Sequence, residues 1–452
     1  MKTIKYTLQT FQQNPNKVIE YAEEFLHRCE SLKSFNYILY QDKAQIIKRA
    51  QESKLRYEKS LNTPLDGLLT VVKDTIHVQE SPTHLSTQGL NGNQQKVEGQ
   101  FIKNLRYMGV IFAGKTNHNE LDYGTSGKNN FNGDIKNFLN PKLSGIDGAA
   151  SLVGSGACQL GVCSDTMGQM RIGASINGIY GYRPTMQRYG LDYGFRSCSS
   201  SSTLGLISQN IEDIMLVDSL VINQMYELNQ KRQKLRIGVI KEYFLDNADQ
   251  NVQDNFEKQI QKLKEFEIEI VDDKTIPNLK SLIKCTQPIL MYEFLRNLEV
   301  YLNQYKINRT VDKVIDKTYT SETKHYIAML KSNAISELRF QQAYYNKLED
   351  LRDAMYQYFN QNQIDAMIFP TLTIKNWELD SIKEPDFTIE HNGKKIRQFG
   401  MSIKNTSLAS KINMPSITLP TIKKNKESYG LELVSLTGND AKLLSLAHQI
   451  SY

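Results

Sequence analysis

The stretch from Ser144 to Gly181 constrains the fold more than any other part of the chain. Nine of the 26 glycines fall in it, and apolar residues are interleaved throughout. A flexible linker would lack those apolar residues, so the pattern predicts tight turns and close backbone packing. Around this stretch, helical and strand patterns alternate. Residues 17–32 and 43–60 carry apolar residues at helical spacing with charged faces. LLTVVKD (68–74) reads as a buried strand ending in a lysine and an aspartate, and GVIFAGKTN (109–117) as a second strand ending at a glycine turn. Residues 84–98 and 124–140 are rich in Ser, Asn, Gly and Gln and read as loops, as does SCSSSS at 197–202. Further strands are predicted at 234–240, 364–372 (closed by Pro370), 414–420 and 430–436, with helices at 250–267, 322–360 and 439–451. Such alternation predicts an α/β layered fold with parallel pairing. Without a fixed-period repeat or a Pro/Gly-rich linker, one continuous domain over 1–452 is expected. It comprises N-terminal helices (1–66), a central core (67–220) and a remainder with a helical insertion (221–452).

Composition removes several classes. With 452 residues, 40% hydrophobic and 23% charged, the chain can bury a large core. The net charge of +6 is spread along the sequence rather than blocked, which is too weak to argue nucleic-acid binding. Five cysteines, an odd number with no C-x-x-C spacing, read as reduced thiols without a zinc site. The seven histidines form no H-E-x-x-H and no i, i+4 pair. No cofactor and no metal are therefore expected. No apolar run approaches ~20 residues, so no membrane-spanning helix is predicted. Lys2, Lys5 and Lys17 precede the first acid, Glu20, and read as a basic helix entrance rather than a targeting segment.

The strongest constellation joins Lys73 at a strand end, LSGIDGAASLVGSG (143–156) and VCSDTMGQMRIGASINGIYGYRPT (162–185). With GKTNHNEL (114–121), RYGLDYGFRSCSSSSTLGLISQNIED (188–213), IDAMIFPT and NMPSITLP, it resembles the amidase-signature family over nearly the whole chain. Within that family it is most similar to the A subunit of glutamyl-tRNA amidotransferase. The resemblance implies an α/β fold with a mixed, mostly parallel central sheet wrapped by helices. It also implies a site in which amides are hydrolysed by a Ser–cis-Ser–Lys triad. Lys73 matches the lysine. The middle serine's position holds Gly145, and the nucleophile's position holds Gln169, 24 residues later. Thr166, Met167 and Gly168 match the turn whose backbone N–H groups form the family's oxyanion hole.

A carboxamide cannot replace a nucleophilic hydroxyl. Loss of nucleophile and relay together implies a loss of rate of order 10⁶-fold. Ser155 and Ser164 match structural positions, and Cys158 and Cys163 have no adjacent base. Asp165 and Arg171 read as architectural hydrogen-bonding groups around the turn, and Lys115, Asn117 and Glu120 as structural. Lys73 is expected to stay protonated, paired with Asp147 or with the Gln169 carbonyl. The resulting expectation is a catalytically inactive amidase-like subunit in a multi-subunit assembly, intracellular, and mitochondrial ahead of cytoplasmic. Direct nucleic-acid contact is not expected. The alternative is an active amidase, or the glutaminase subunit of a tRNA-dependent amidotransferase that meets tRNA only through a partner. A third reading is a pocket that still holds an amide.

Overall fold

The computed structural model describes residues 2–192, 194–226, 235–266, 268–421 and 427–451. Thirteen strands occur among them: β1 (Ile38–Tyr40), β2 (Leu69–Lys73), β3 (Ile111–Thr116), β4 (Leu160–Asp165), β5 (Tyr180–Arg183), β6 (Thr203–Ser208), β7 (Arg236–Gly238), β8 (Glu269–Val271), β9 (Ala366–Pro370), β10 (Thr388–His391), β11 (Lys394–Arg397), β12 (Ser416–Pro420) and β13 (Gly430–Val434). Eleven of these form one sheet in the order β1-β3-β2-β4-β6-β5-β12-β13-β9-β7-β8, and β10 and β11 make a separate hairpin. The sheet is mixed. β3, β2 and β4 run parallel, as do β9, β7 and β8, while the strands from β4 to β9 pair antiparallel. Helices cover both faces, giving the α/β fold that the motifs imply.

Strand β2 shows how the sequence builds this layer. Every one of its residues is buried, yet its side chains alternate with the period of two that a pleated strand imposes. Leu69 and Val71 enter the cluster with Phe25 and Ala50 from helices Lys17–Ser31 and Lys43–Glu58. Val72 enters the opposite cluster with Leu105 and Ile214. Burial on both faces explains the continuous apolar run of LLTVV.

Parallel pairing places the carboxyl ends of β2 and β4 side by side, with Val72 in register with Val162. β2 ends at Lys73, while β4 ends at Asp165 and runs through residues 166–168 into the helix Gln169–Asn177. The crevice outside the carboxyl ends of parallel strands is where α/β folds place their sites, and here it receives both motifs.

Two expected segments differ in detail. The predicted helix at 322–360 is divided into Ser321–Ser332, Glu337–Gln341 and Leu348–Gln361, with a wider turn at Gln342–Lys347. Ser336 starts a new helix because its Oγ accepts from Arg339 N at 3.3 Å. At the N-terminus, Ile4–Gln13 forms a helix of its own, fixed by Ile4 N donating to Asp213 Oδ1 at 2.7 Å. Lys234 and Glu267, included in the predicted strand at 234–240 and helix at 250–267, lie outside the described residues. No helix among the described residues is long and apolar enough to cross a membrane.

Candidate active site

Lys73 and Gln169, remote in sequence, meet. Lys73 Nζ donates to Gln169 Oε1 at 3.1 Å, and both side chains are buried. The ammonium also lies 2.7 Å from Asp122 Oδ1 and 3.8 Å from Asp147 Oδ2. Asp147 serves two elements at once. Its Oδ1 caps the helix Gly148–Gly154, accepting from Ala149 N at 2.8 Å and Ala150 N at 3.3 Å, while Oδ2 faces the lysine.

Burial presses the Lys73 ammonium toward neutrality. Asp122 and Asp147 outweigh that and hold its pKa above the ordinary lysine value. Burial pushes both carboxyls up, against the pull of Lys73. One ammonium cannot neutralise two buried carboxylates, and the shorter distance makes Asp122 the one it holds. His118 adds no charge: burial, then Lys73, drives its pKa well below the ordinary value, and its Nδ1 bonds Asn119 O at 2.7 Å.

Asp122 reaches this position through a tight reversal, with φ +58° at both Leu121 and Asp122. Its second oxygen accepts from Ser197 Oγ at 3.2 Å. Ser197 Oγ in turn lies 2.8 Å from Thr166 Oγ1, which is 2.9 Å from Ser202 Oγ. The serine-rich loop therefore delivers a hydroxyl to the carboxylate beside Lys73 and ties it to the turn after β4.

Beneath that turn lies a second ionic cluster. Arg171 donates to Asp165 through Nε at 3.1 Å and Nη2 at 3.0 Å, and pairs with Glu432. Arg183 Nη1 donates to Asp165 Oδ1 at 3.0 Å. Burial alone would raise the Asp165 pKa, but the two guanidinium groups pull it down to about 2. Gly168 completes the turn at φ +101°, where a Cβ would lie 2.1 Å from Thr406 Oγ1. Only glycine fits there.

The remaining expected positions sort clearly. Gly145 does not join the lysine. Its carbonyl accepts from Ser151 Oγ and Asn177 Nδ2, both at 3.2 Å, and a Cβ on it would lie 2.5 Å from Ser151 Oγ. Met167 is buried in an apolar cluster with Cys198, Leu408 and Met414. Burial pushes the Cys158 thiol up to about 12 and Cys163 well above its usual value, so neither is a ready thiolate. Ser164 bonds Thr75 at 2.9 Å, and Ser155 bonds Leu152 O at 2.8 Å. Lys115 pairs with Asp74 at 3.0 Å, Asn117 Nδ2 holds Asn36 O and Gly133 O, and Glu120 accepts from Tyr319 N and Thr320 N, all structural bonds. No group of three metal-ligating side chains occurs among the described residues. Sequence reading missed Asp122 and Ser197. Asp122 directly follows GKTNHNEL, and an acid one residue beyond that motif was the available signal.

Residues 20–444 match the Amidase family. The chain belongs to that family. The indoleacetamide hydrolase of Allorhizobium ampelinum (strain ATCC BAA-846 / DSM 112012 / S4) is 26% identical over 100% of this chain and 97% of that protein. The mandelamide hydrolase of Pseudomonas putida is 26% identical over 95% of this chain and 87% of that protein. The crystal structure of an amidase superposes with a TM-score of 0.86 at 21% identity, covering 98% of each chain, which shows the shared amidase fold.

These findings correct the sequence-based expectation. The family stands, but the relatives are named as hydrolases of small amides rather than as the A subunit of a tRNA amidotransferase. The expectation of an inactive subunit is overturned by the same names. It rested on the residues at the triad positions and their near neighbours in sequence, whereas the fold places Asp122 against Lys73 and Ser197 against Asp122 from elsewhere in the chain.

Proposed function

We propose that this amidase-family chain hydrolyses a small primary carboxamide bearing an aromatic group and releases ammonia. The observation that carries the reading is the similarity, over nearly the full chain, to relatives named for indoleacetamide and mandelamide hydrolysis. The geometry beside Lys73 supplies the groups such a reaction needs.

Ser197 is the proposed nucleophile and Asp122 its proton acceptor. A carboxyl whose pKa burial raises is a stronger base than a solvated one. Ser197 Oγ attacks the amide carbon as its proton passes to Asp122 Oδ2, at 3.2 Å in the resting arrangement. Lys73 steadies the carboxylate's charge from the other side. Lys73 Nζ, which donates to the Gln169 amide oxygen at 3.1 Å, is the donor offered to the developing oxyanion when a substrate amide takes that place. The C–N bond then breaks as the leaving nitrogen takes the proton from Asp122, and ammonia departs. Water, giving a proton to the same carboxylate, cleaves the acyl-serine ester and restores Ser197.

The test is ammonia release by purified protein from indole-3-acetamide and mandelamide. Turnover is expected in the wild type, with losses of at least ~10²-fold in Lys73→Met and in Ser197→Ala. Release that ignores Lys73 would mark a contaminant and end the proposal. Release abolished by Lys73→Met but intact in Ser197→Ala would keep the activity and remove Ser197 as nucleophile.

A further inference from the structure

The Gln169 carboxamide is itself bound as an amide. Its oxygen accepts from Lys73 Nζ at 3.1 Å. Its nitrogen donates to two backbone carbonyls, Asp122 O at 3.2 Å and Gly124 O at 2.7 Å. Two carbonyls two residues apart converge on one nitrogen because the chain reverses between them, with φ +58° at Asp122 and +123° at Gly124. A primary carboxamide offers one acceptor oxygen and two N–H donors. The surroundings present one cationic donor and two acceptors in the matching places.

We propose that Lys73, Asp122 O and Gly124 O form a subsite selective for primary carboxamides, and that Gln169 is its built-in occupant, displaced when an amide ligand binds. An ester, a carboxylate or an N,N-disubstituted amide has no N–H for the two carbonyls. It would leave them buried and unpaired, a penalty that works against binding. An incoming primary amide replaces each hydrogen bond in kind, so the exchange is close to balanced. The occupant taxes the wild-type affinity, because only the fraction of molecules with Gln169 withdrawn can bind. This deepens the reading above at the same site and rests on it for its biological sense, yet binding alone tests it.

Gln169→Ala removes a CH₂–CONH₂ group, which is the outline of acetamide, and leaves a polar cavity with one donor and two acceptors. Thermal unfolding of this variant is followed against acetamide, N,N-dimethylacetamide and acetate, beside the wild type. The variant is expected to melt below the wild type and to recover saturably with acetamide. The rise should be about 2–3 °C at a hundredfold excess over the dissociation constant. The wild type should respond less, and the two control compounds should give no rise. Equal responses to acetamide and N,N-dimethylacetamide, or equal acetamide responses in variant and wild type, would overturn the subsite. If the alanine variant does not fold, Gln169→Ser carries the same comparison. Acetamide binding without ammonia release would leave the subsite standing and the hydrolase reading fallen. Ammonia release without primary-amide preference would do the reverse.

Discussion

Two buried ionic clusters lie close together in this molecule, and they are built differently. Under the turn after β4, Arg171 and Arg183 face Asp165 and Glu432, two cations against two anions. Ser410 Oγ and Thr406 O take further Arg171 protons, at 2.8 and 3.0 Å. At the end of β2, a single cation, Lys73, faces Asp122 and Asp147. In the balanced cluster charge and hydrogen bonding close on themselves, and the Asp165 carboxyl is pulled down to about 2. In the other, negative charge is in excess and burial pushes the carboxyls up. The first arrangement is a frame that holds the turn. The second leaves two buried carboxyls sharing one ammonium.

That contrast predicts unequal costs. The largest effect is expected from Arg171→Met, which strands Asp165 and Glu432 without their main cation. Removing one partner of a buried ion pair costs about 3–5 kcal/mol, readable by urea unfolding. A loss below about 1 kcal/mol would show that the frame is not held by charge. The frame also has a pH signature. A depressed carboxyl pKa adds stability that is complete above the unfolded value, ~3.9, and is lost as pH falls toward about 2. Acid should therefore release this cluster only below about pH 4.

Lys73→Met comes next and sharpens the contrast through its sign. Without the ammonium, the Asp122 and Asp147 pKa values should rise further. A raised carboxyl pKa adds stability that is complete below the unfolded value and is lost as pH rises through the folded value. The deficit of this variant relative to wild type should thus be small at pH 5 and widen toward pH 8. There it should reach about 1–3 kcal/mol, measured by unfolding across that range. A deficit that grows on acidification instead would mean that the lysine is not the counter-charge of these carboxyls.

The smallest effect is expected from Asp147→Asn. Asparagine caps a helix as well as aspartate does, so the bonds to Ala149 N and Ala150 N survive. The change removes the excess negative charge at 3.8 Å from Lys73. The net shift should stay within about 1 kcal/mol and lean toward stabilisation at pH 8. A loss as large as that of Lys73→Met would make Asp147 rather than Asp122 the principal partner.

Much of the site is legible because it lies at fixed distances along the regular geometry of a strand and a helix start. The approach of Lys73 to Gln169 follows from two parallel strands whose carboxyl ends must align. The pairing of Asp147 follows from its place one residue before a helix that packs on the same sheet. The architectural reading of Asp165 and Arg171 holds for the same reason, since both flank one turn. Asp122 and Ser197 were not legible. The first depends on two successive left-handed residues, which local propensity disfavours and only surrounding contacts enforce. The second sits in a serine-rich loop whose path is set by the bonds of Thr166 and Ser202.

The α/β layering, the family and the meeting of Lys73 with Gln169 are readable from the chain, because these rest on hydrophobic period and on motifs within single turns. The surroundings of the lysine depend on the folded chain. A buried ammonium must recruit counter-charges and hydrogen-bond partners from whatever loops the fold lays beside it. Here those loops bring Asp122 and Ser197, along with the backbone carbonyls of Asp122 and Gly124 that hold the Gln169 amide. Which side chains meet across such loops is a matter of chain path and packing, and one-dimensional spacing carries no record of it.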